Sequence, residues 1–275
     1  DLKSKIILIY GPTASGKSKF AIKLAKKING EIINADSMQV YKELKILSAR
    51  PFQKDYNKIK HHLYGFQSVK RKFSTGDWLK LVKQKIKDIK KRKKTPILVG
   101  GTGLYFKSLT EGLVNIPNIP IKFREKIRSL HKKLGSKKFF LKLTQLDSLA
   151  KNNLNPSDTQ RVIRAYEVKI YTKRSIFDWF KNTHSDFKKK DFYKIYIDYP
   201  RAELIRRITA RSEIMIKNGA LLEVKKFLSL KVPKNRTAYK AIGIKEIRIS
   251  TIEVVDVITQ YLMIFGLLLD DIKKE

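Results

Sequence analysis

Hydrophobic residues in the first part of the chain fall into short, almost continuous runs, each followed by a turn that carries glycine or a polar residue. The runs cover residues 6–10, 31–34 and 96–99, and a further run at residues 192–198 alternates apolar and polar positions. Residues 31–34 contain two apolar residues, Ile32 and Ile33, while the runs at 6–10 and 96–99 are apolar at nearly every position. Such runs are typical of strands buried on both faces of a parallel sheet.

Between the runs, apolar residues recur every three or four positions, which predicts amphipathic helices. The inward positions expected from this spacing are Phe20, Leu24 and Ile28 in the first helix and Trp78, Val82, Ile86 and Ile89 in the second. Strands that alternate with crossover helices predict an α/β fold, with a parallel-sheet core and helices on both faces.

The turn after the first run has the spacing G-x-x-x-x-G-K-[ST] of a phosphate-binding loop, or P-loop. Its residues are Gly11, Pro12, Thr13, Ala14, Ser15, Gly16, Lys17 and Ser18. In such a loop backbone N–H groups and a helix N-terminus surround phosphate oxygens, Lys17 adds a full charge, and the Ser18 hydroxyl can ligate Mg²⁺. An ordinary glycine-rich turn is the alternative, but the strand, the helix and the Lys-Ser pair are all in register. The chain is therefore predicted to bind a di- or triphosphate.

Polar residues follow the other two buried runs. Asp36 comes after the second, and Thr102 is the hydroxyl residue in the glycine-rich turn after the third. Both should lie at the carboxyl edge of the sheet, where open α/β folds bind ligands. On chemistry alone, Asp36 can be a base, a Mg²⁺ ligand or the N-cap of a helix.

Three groups of polar residues have both a functional and a solvent-exposed interpretation. Gln160 and Arg164 share a helix face that suits phosphate or base contacts, or solvent. The basic run at residues 90–94 fits a solvated helix end slightly better than a nucleic-acid contact. Arg207 and Arg211, four residues apart, would clamp a pyrophosphate if one lies nearby.

The pattern changes after Gly112. Residues 115–120 contain two prolines and resemble a linker, and from residue 121 to about 187 the chain is helical in pattern and very basic. We therefore predict a P-loop core at 1–114, an inserted, basic, mainly helical domain at 115–187, and a return to the core with C-terminal helices at 188–275.

The excess of basic residues indicates the kind of molecule that the protein binds. Lys and Arg number 61 against 25 Asp and Glu, which gives a formal net charge of +36. Biased genome composition can enrich lysine, but it does not require acidic residues to be so scarce, so a polyanion is favoured, most simply nucleic acid.

The absence of cysteine excludes disulfides and thiolate metal sites. The longest apolar run, residues 261–269, is too short to span a bilayer and no signal peptide precedes the first strand, so we expect a soluble, cytoplasmic protein with no membrane partner.

Six blocks, in order and spread over most of the chain, resemble the tRNA dimethylallyltransferases. They are residues 11–18 (GPTASGK[ST] in the family), 36–42 (D-S-x-x-[VI]-Y-[KR]), 48–51 (T-A-K-P), 96–106 (PILVGGTGLY), 155–168 (N-P-x-D-x-Q-R-x-x-R-A-L-E-V) and 238–246 (A-x-x-A-I-G-Y-K-E). A P-loop alone is weak support for this family, whereas six blocks in the right order are strong.

The resemblance implies transfer of a dimethylallyl group from dimethylallyl diphosphate to N6 of adenosine 37 in tRNA, with release of diphosphate in the presence of Mg²⁺. The P-loop would then hold the leaving diphosphate rather than ATP. By the same resemblance Asp36 is the general base, Thr13 and Thr102 lie beside the reacting centre, and Arg211 binds the diphosphate.

The resemblance also implies that the helical insertion clasps the anticodon stem-loop of the tRNA, and we expect the protein to act as a monomer. The implied tRNA contacts are Asp36, Ser37, Met38, Gln39, Thr102, Arg124, Gln160, Arg161, Val162, Ile163, Arg164, Lys240 and Lys245.

The chain departs from the family pattern near its end. Members usually carry a K-R-Q-x-T-W-like signature there, whereas Thr259-Gln260-Tyr261 is followed by the apolar residues 262–269. Basic contacts to the substrate would be missing, so a catalytically impaired, tRNA-binding relative is one alternative. A small-molecule or nucleotide kinase is another, because kinases share the P-loop, but it leaves the net charge and the 155–168 block unexplained.

Overall fold

The structure, a computed structural model, describes residues 1–234 and 236–244. The described chain divides into two units. The core unit comprises Asp1–Thr110 and the described residues from Phe187 onward, and the helical unit comprises Glu111–Asp186. Lys245, and the departure from the family pattern at residues 259–269, lie outside the described residues.

The described part of the core unit contains a five-stranded parallel sheet with the order β3-β2-β4-β1-β5. The strands are β1 (Ile6–Tyr10), β2 (Gly30–Asn34), β3 (His61–His62), β4 (Thr95–Val99) and β5 (Phe192–Tyr196). Side chains of β2 and β4 are buried throughout, as expected where helices cover both faces of a parallel sheet. The predicted α/β fold is confirmed.

Helices of the core unit are α1 (Lys17–Ile28), α2 (Thr75–Lys91), α3 (Gly103–Glu111, whose last residue belongs to the helical unit), α8 (Arg201–Lys217) and α9 (Ala220–Ser229). Short 3₁₀ turns lie at Leu2–Ser4, Gln53–Tyr56, Lys189–Asp191 and Thr237–Lys240.

The buried face of α2 is the predicted one. Trp78, Val82, Ile86 and Ile89 are all buried in the layer that covers one side of the sheet. The helix begins at Ser74, whose hydroxyl accepts a hydrogen bond from the Asp77 amide while Asp77 accepts from the Ser74 amide. This reciprocal capping satisfies amides that the first turn leaves without partners.

The buried face of α1 agrees with the prediction only in part. Leu24 and Ile28 pack partly buried against the core beside the sheet, but Phe20 is 39% exposed. The fully buried residues of this helix are Ala21, Ile22 and Ala25. Two alanines on this face allow the helix to lie close to the strands. The close approach matters because the N-terminus of α1 forms part of the P-loop.

A buried carboxylate in β2 explains part of the basic run at residues 90–94. Glu31 lies 2.7 Å from both Arg92 Nη2 and His62 Nε2, and 3.3 Å from Lys94 Nζ. Burial raises the pKa of Glu31, but the hydrogen bonds from Arg92, His62 and Lys94 outweigh it and lower that pKa to about 2. Two cations of the run are therefore structural partners of Glu31.

The helical unit contains α4 (Ile121–Leu146, interrupted at Gly135), α5 (Leu149–Asn153), α6 (Thr159–Thr172) and α7 (Ile176–Lys181). It has its own apolar core, in which Val162 and Tyr166 of α6 are buried with Phe139 and Leu143 of α4. Ile170 of α6 packs against the same core.

Candidate active site

The P-loop connects β1 to α1 and requires glycine at two of its positions. At Gly11 an added Cβ atom would lie 2.5 Å from the Ile197 carbonyl oxygen, and the φ of +150° is unfavourable for other residues. Gly16 has a φ of +90° and forms the N-cap of α1. Both positions tolerate only glycine without strain, so the loop conformation follows from the motif.

Lys17 folds back over this loop. Its Nζ donates a hydrogen bond to the Gly11 carbonyl over 2.9 Å and another to the Pro12 carbonyl. Ser15 is buried, and its Oγ has no hydrogen-bond partner among the described residues. An unpartnered hydroxyl inside the loop is a site where an anion oxygen would satisfy a donor.

Asp36 is held by a network at the end of β2. The Asn34 side chain accepts a hydrogen bond of 2.9 Å from the Asp36 amide and donates hydrogen bonds of 3.0 Å to the carbonyls of Asp36 and Leu63. The Trp78 indole donates to the Asn34 carbonyl over 2.9 Å. The end of β2, the Asn34 side chain and Trp78 of α2 together fix the backbone conformation at Asp36.

The Asp36 carboxylate has two distinguishable oxygens. Oδ1 accepts from the amides of Met38 at 2.8 Å and Gln39 at 3.3 Å, which closes a turn. No helix begins at this turn, so the helix N-cap considered for Asp36 is wrong. No described residue donates a hydrogen bond to Oδ2. The turn therefore uses one oxygen and leaves the other for a ligand.

The loop after β4 lies against the loop after β2. At Gly100 an added Cβ atom would lie 2.1 Å from the Ala35 carbonyl oxygen, so no side chain fits there. The Thr102 amide donates to that same carbonyl over 3.3 Å, and Thr102 Oγ1 accepts from the Ser37 amide over 2.9 Å. The glycine-rich turn thus brings Thr102 beside the Asp36 segment.

A cavity of about 790 Å³, here called the basic cavity, lies along the P-loop and α1. Its cationic lining residues are Lys17, Lys19, Lys23, Lys26, Lys54, Arg207 and Arg211. Asp36 and Asp55 supply the carboxylates in its lining. Arg207 and Arg211 are therefore on a common ligand-facing surface, as their spacing allowed.

A second cavity of about 510 Å³, here called the mixed cavity, combines polar loop residues with apolar side chains. Its polar loop residues include Ser37, Thr102 and Lys240. Its apolar lining includes Phe73, Leu104, Tyr105, Ile208 and Met215. A pocket of this composition suits a planar or hydrocarbon group that has one polar edge.

Certain residues line both cavities and so define their junction: Thr13, Lys17, Asp36, Ser48 and Arg211. Burial lowers the pKa of Lys17 to about 8, while Asp36 opposes this shift and Arg211 adds to it. Burial also lowers the pKa of Arg211 from its usual value, again opposed by Asp36. Two desolvated cations beside one carboxylate suit a ligand that carries several negative charges.

Sequence reasoning assigned no role to several of these residues. Ser48 lay within a recognised block, and its carbonyl accepts a hydrogen bond of 3.0 Å from Gln39 Nε2. Leu104 and Tyr105 also lay within a block. Phe73 and Met215 carried no signal at all, because an apolar residue that lines a pocket cannot be told from a core residue without tertiary structure.

In the helical unit, the residues expected to contact tRNA differ in their exposure. Gln160 and Arg161 are exposed, while Arg124 and Arg164 both contact the buried carboxylate of Glu167. Val162 does not fit the contact role implied for it, because its side chain is 1% exposed and belongs to the core of the unit. Ile163 is partly buried against that core.

Few residues of the basic cavity could hold Mg²⁺. The described residues contain no group of three or more His, Cys, Asp or Glu side chains arranged around a metal position. Mg²⁺ bound to a phosphate-containing ligand commonly takes only one or two protein ligands. Ser18, exposed at the start of α1, and Asp36 line the same cavity and are compatible with that mode. Within the described residues, no helix has the length and apolar character needed to cross a membrane.

Together, the fold and the loop define a P-loop-type α/β protein whose phosphate-binding loop faces a basic cavity. The family model described as IPP transferase matches residues 39–257. The chain belongs to the IPP transferase family.

Known proteins resemble the chain over most of its length. A tRNA dimethylallyltransferase of Pelagibacter ubique is 59% identical over 247 residues, which is 90% of this chain and 79% of that protein. The crystal structure of a tRNA isopentenylpyrophosphate transferase from Staphylococcus epidermidis is 31% identical, covers 95% of this chain and 88% of its own, and has a TM-score of 0.63. A eukaryotic dimethylallyltransferase, described as acting on tRNA, has a TM-score of 0.79 at 27% identity, over 96% of this chain and 68% of its own.

Proposed function

We propose that the protein transfers a dimethylallyl group from dimethylallyl diphosphate to N6 of adenosine 37 in tRNA and releases diphosphate. Membership of the IPP transferase family supports prenyl transfer to tRNA. The observation that supports this assignment is the junction of the two cavities, because Asp36, Lys17 and Arg211 line both of them.

The charges at the junction match the bond that breaks. When the C1–O bond of the allylic diphosphate breaks, its electron pair stays on the departing diphosphate oxygen. Lys17 and Arg211 would hold that oxygen and stabilise the charge as it grows, with Arg207 further along the basic cavity. Ser18 would hold Mg²⁺ together with the diphosphate, and the ion would offset the same charge.

The bond that forms is between N6 of adenine and C1 of the allyl group. Asp36 Oδ2 has no hydrogen-bond donor among the described residues, so it would accept the N6 proton that is lost as the bond forms. Oδ1 stays bonded to the Met38 and Gln39 amides, which keeps the carboxylate in place. Thr102 acts from the neighbouring loop by fixing the Ser37 amide.

The mixed cavity would receive the adenine and the hydrocarbon tail. Phe73, Leu104 and Met215 offer apolar contacts, and Lys240 and Ser37 offer polar ones. To enter such a pocket the base has to leave its stack in the anticodon loop, as base-modifying enzymes generally require.

We assign binding of the anticodon stem-loop partly to the helical unit. The +36 net charge of the chain supports a polyanionic partner, and exposed or half-exposed cations of α4 and α6 such as Arg124, Arg161 and Arg164 suit the RNA backbone.

The direct test uses an unmodified tRNA transcript with adenosine at position 37, dimethylallyl diphosphate and Mg²⁺, followed by digestion to nucleosides. The expected product is N6-dimethylallyladenosine, and a transcript with guanosine at position 37 should give none. Persistent tRNA binding without product would indicate that the protein binds tRNA but does not catalyse the transfer. Product from the guanosine-37 transcript would place the reaction at another base.

A further inference from the structure

Three arginines lie around one buried carboxylate in the helical unit. Glu167 on α6 has a side chain that is 1% exposed. Its Oε2 lies 3.1 Å from Arg124 Nε and 3.4 Å from Arg164 Nη1, and its Oε1 lies 3.9 Å from Arg128 Nε. Arg124 and Arg128 are one turn apart on α4, and Arg164 lies one turn before Glu167 on α6.

The charges of this cluster do not balance. Three guanidinium groups surround one carboxylate, and Oε1 of Glu167 has no hydrogen-bond partner among the described residues. A buried ion pair seldom adds net stability over a well-packed apolar alternative, so stability alone gives little reason for three cations on one acid.

The arginines keep most of their hydrogen-bonding capacity. Each guanidinium has five N–H donors. Glu167 accepts one hydrogen bond each from Arg124 and Arg164, whereas Arg128 Nε lies 3.9 Å from Oε1 and forms an ion pair without a hydrogen bond. The side chains of Arg124, Arg128 and Arg164 are 39%, 49% and 38% exposed. The outer donors are therefore available to an external ligand, while hydrogen bonds restrict the rotation of Arg124 and Arg164 and the ion pair attracts Arg128 to the same carboxylate.

We propose that Glu167 is a positioning residue that aligns these guanidiniums for the phosphodiester oxygens of tRNA, and that Arg128 is a tRNA-binding residue alongside Arg124 and Arg164. The proposal rests on the proposed function, since it requires tRNA as the ligand. Guanidinium groups bind phosphate oxygens through paired donors, and an orientation fixed in advance reduces the entropy lost on binding.

The direction in which Glu167→Gln changes tRNA affinity distinguishes a positioning role of Glu167 from an effect of its charge alone. Glu167→Gln keeps the size of the side chain and raises the net charge by one. If Glu167 acted only through its charge, the loss of a negative group would leave tRNA affinity unchanged or increase it. If Glu167 aligns the arginines, affinity falls even though the protein becomes more positive.

The experiment measures binding of an unmodified anticodon stem-loop over a range of KCl concentrations, using the full chain. Arg128→Ala should weaken binding by about tenfold and reduce the slope of log affinity against log salt by roughly 0.7–0.9. Lys126→Ala, which removes an exposed cation two residues away on the same helix, is the matched control and should change affinity by no more than about twofold. Equal losses in the two variants would overturn the role of Arg128.

Glu167→Gln should weaken binding by about fivefold, because each arginine then samples more rotamers. Combined with Arg128→Ala, it should cost less than the product of the two single losses, since part of its effect passes through Arg128. Unchanged or tighter binding, or fully multiplicative losses, would overturn the positioning role. Should Glu167→Gln fail to fold, the comparison of Arg128 with Lys126 still decides the Arg128 assignment. Nucleoside product from the wild-type protein tests the proposed function separately, so failure of one is distinguishable from failure of the other.

Discussion

The backbone amide of Ser37 donates a hydrogen bond to Oγ1 of Thr102 over 2.9 Å, and this bond ties the loop after β2 to the loop after β4. Ser37 follows Asp36 directly, so the position of the carboxylate depends on a hydroxyl contributed by another strand end. Thr102 therefore contributes to the site as an acceptor for the backbone, whether or not its hydroxyl also contacts a substrate.

Removing that acceptor should slow turnover. Thr102→Val keeps the shape of the side chain but leaves the Ser37 amide without its partner, and small displacements of catalytic groups are costly. We expect the single-turnover rate to fall roughly tenfold to a hundredfold. Thr102→Ser keeps the oxygen and should stay close to the wild-type rate. Equal rates in the valine and serine variants would show that this bond does not position Asp36.

Two adjacent glycines offer a matched test of how closely the loops pack. Gly100→Ala would place a Cβ atom 2.1 Å from the Ala35 carbonyl oxygen, whereas nothing lies within 4 Å of the corresponding position at Gly101. Gly100→Ala should cost about 1–3 kcal/mol of unfolding free energy or more, together with activity. Gly101→Ala should have little effect on stability. Denaturant melts of both variants measure the difference, and similar midpoints would contradict the packing described.

Glycine spacing and apolar runs made much of this arrangement predictable. The buried strands and the inward face of α2 follow from apolar patterns that are local in the sequence and do not depend on tertiary contacts. The face of α1 follows only in part: Leu24 and Ile28 pack inward, but Phe20 does not, and the buried Ala21 and Ala25 are too weakly hydrophobic to mark the face in the sequence.

The contents of the cavities were harder to predict than the P-loop. Lys17 and Asp36 carry charges that mark them in a sequence. Met215 and Phe73 have no such mark, and only the folded chain brings them to Thr102. Likewise, the pairing of Arg124 with Glu167 joins residues 43 positions apart and depends on how α4 packs against α6.

Diphosphate affinity should depend on pH through Lys17. Burial lowers the pKa of this lysine to about 8, so the free protein loses the charge as pH rises through that value. Affinity for dimethylallyl diphosphate should then fall by up to about tenfold per pH unit above about pH 8, because binding must take up the missing proton. Calorimetric titrations over this pH range measure the slope. Lys17→Met should bind weakly with no such slope, and a flat wild-type profile would contradict the assignment.

Acid stability should depend on Glu31. Its pKa is about 2 in the folded protein against an ordinary 4.5, so its ion pairs stabilise the fold above pH 4.5 and that stability is lost as pH falls toward 2. Glu31→Gln should therefore lower unfolding free energy at neutral pH and flatten its dependence on acid. Glu125→Gln, on an exposed position of α4, is the control, and equal effects of the two would argue against the Glu31 cluster.

The most direct test of the central claim concerns the proton acceptor at the junction of the cavities. Asp36→Asn keeps Oδ1 as the acceptor for the Met38 and Gln39 amides, so it preserves the turn and removes the base. With tRNA and dimethylallyl diphosphate prebound, the single-turnover rate should fall roughly 10²–10⁴-fold while the dissociation constant for tRNA stays within about twofold. A rate within a few-fold of the wild type would contradict the claim that Asp36 accepts the N6 proton.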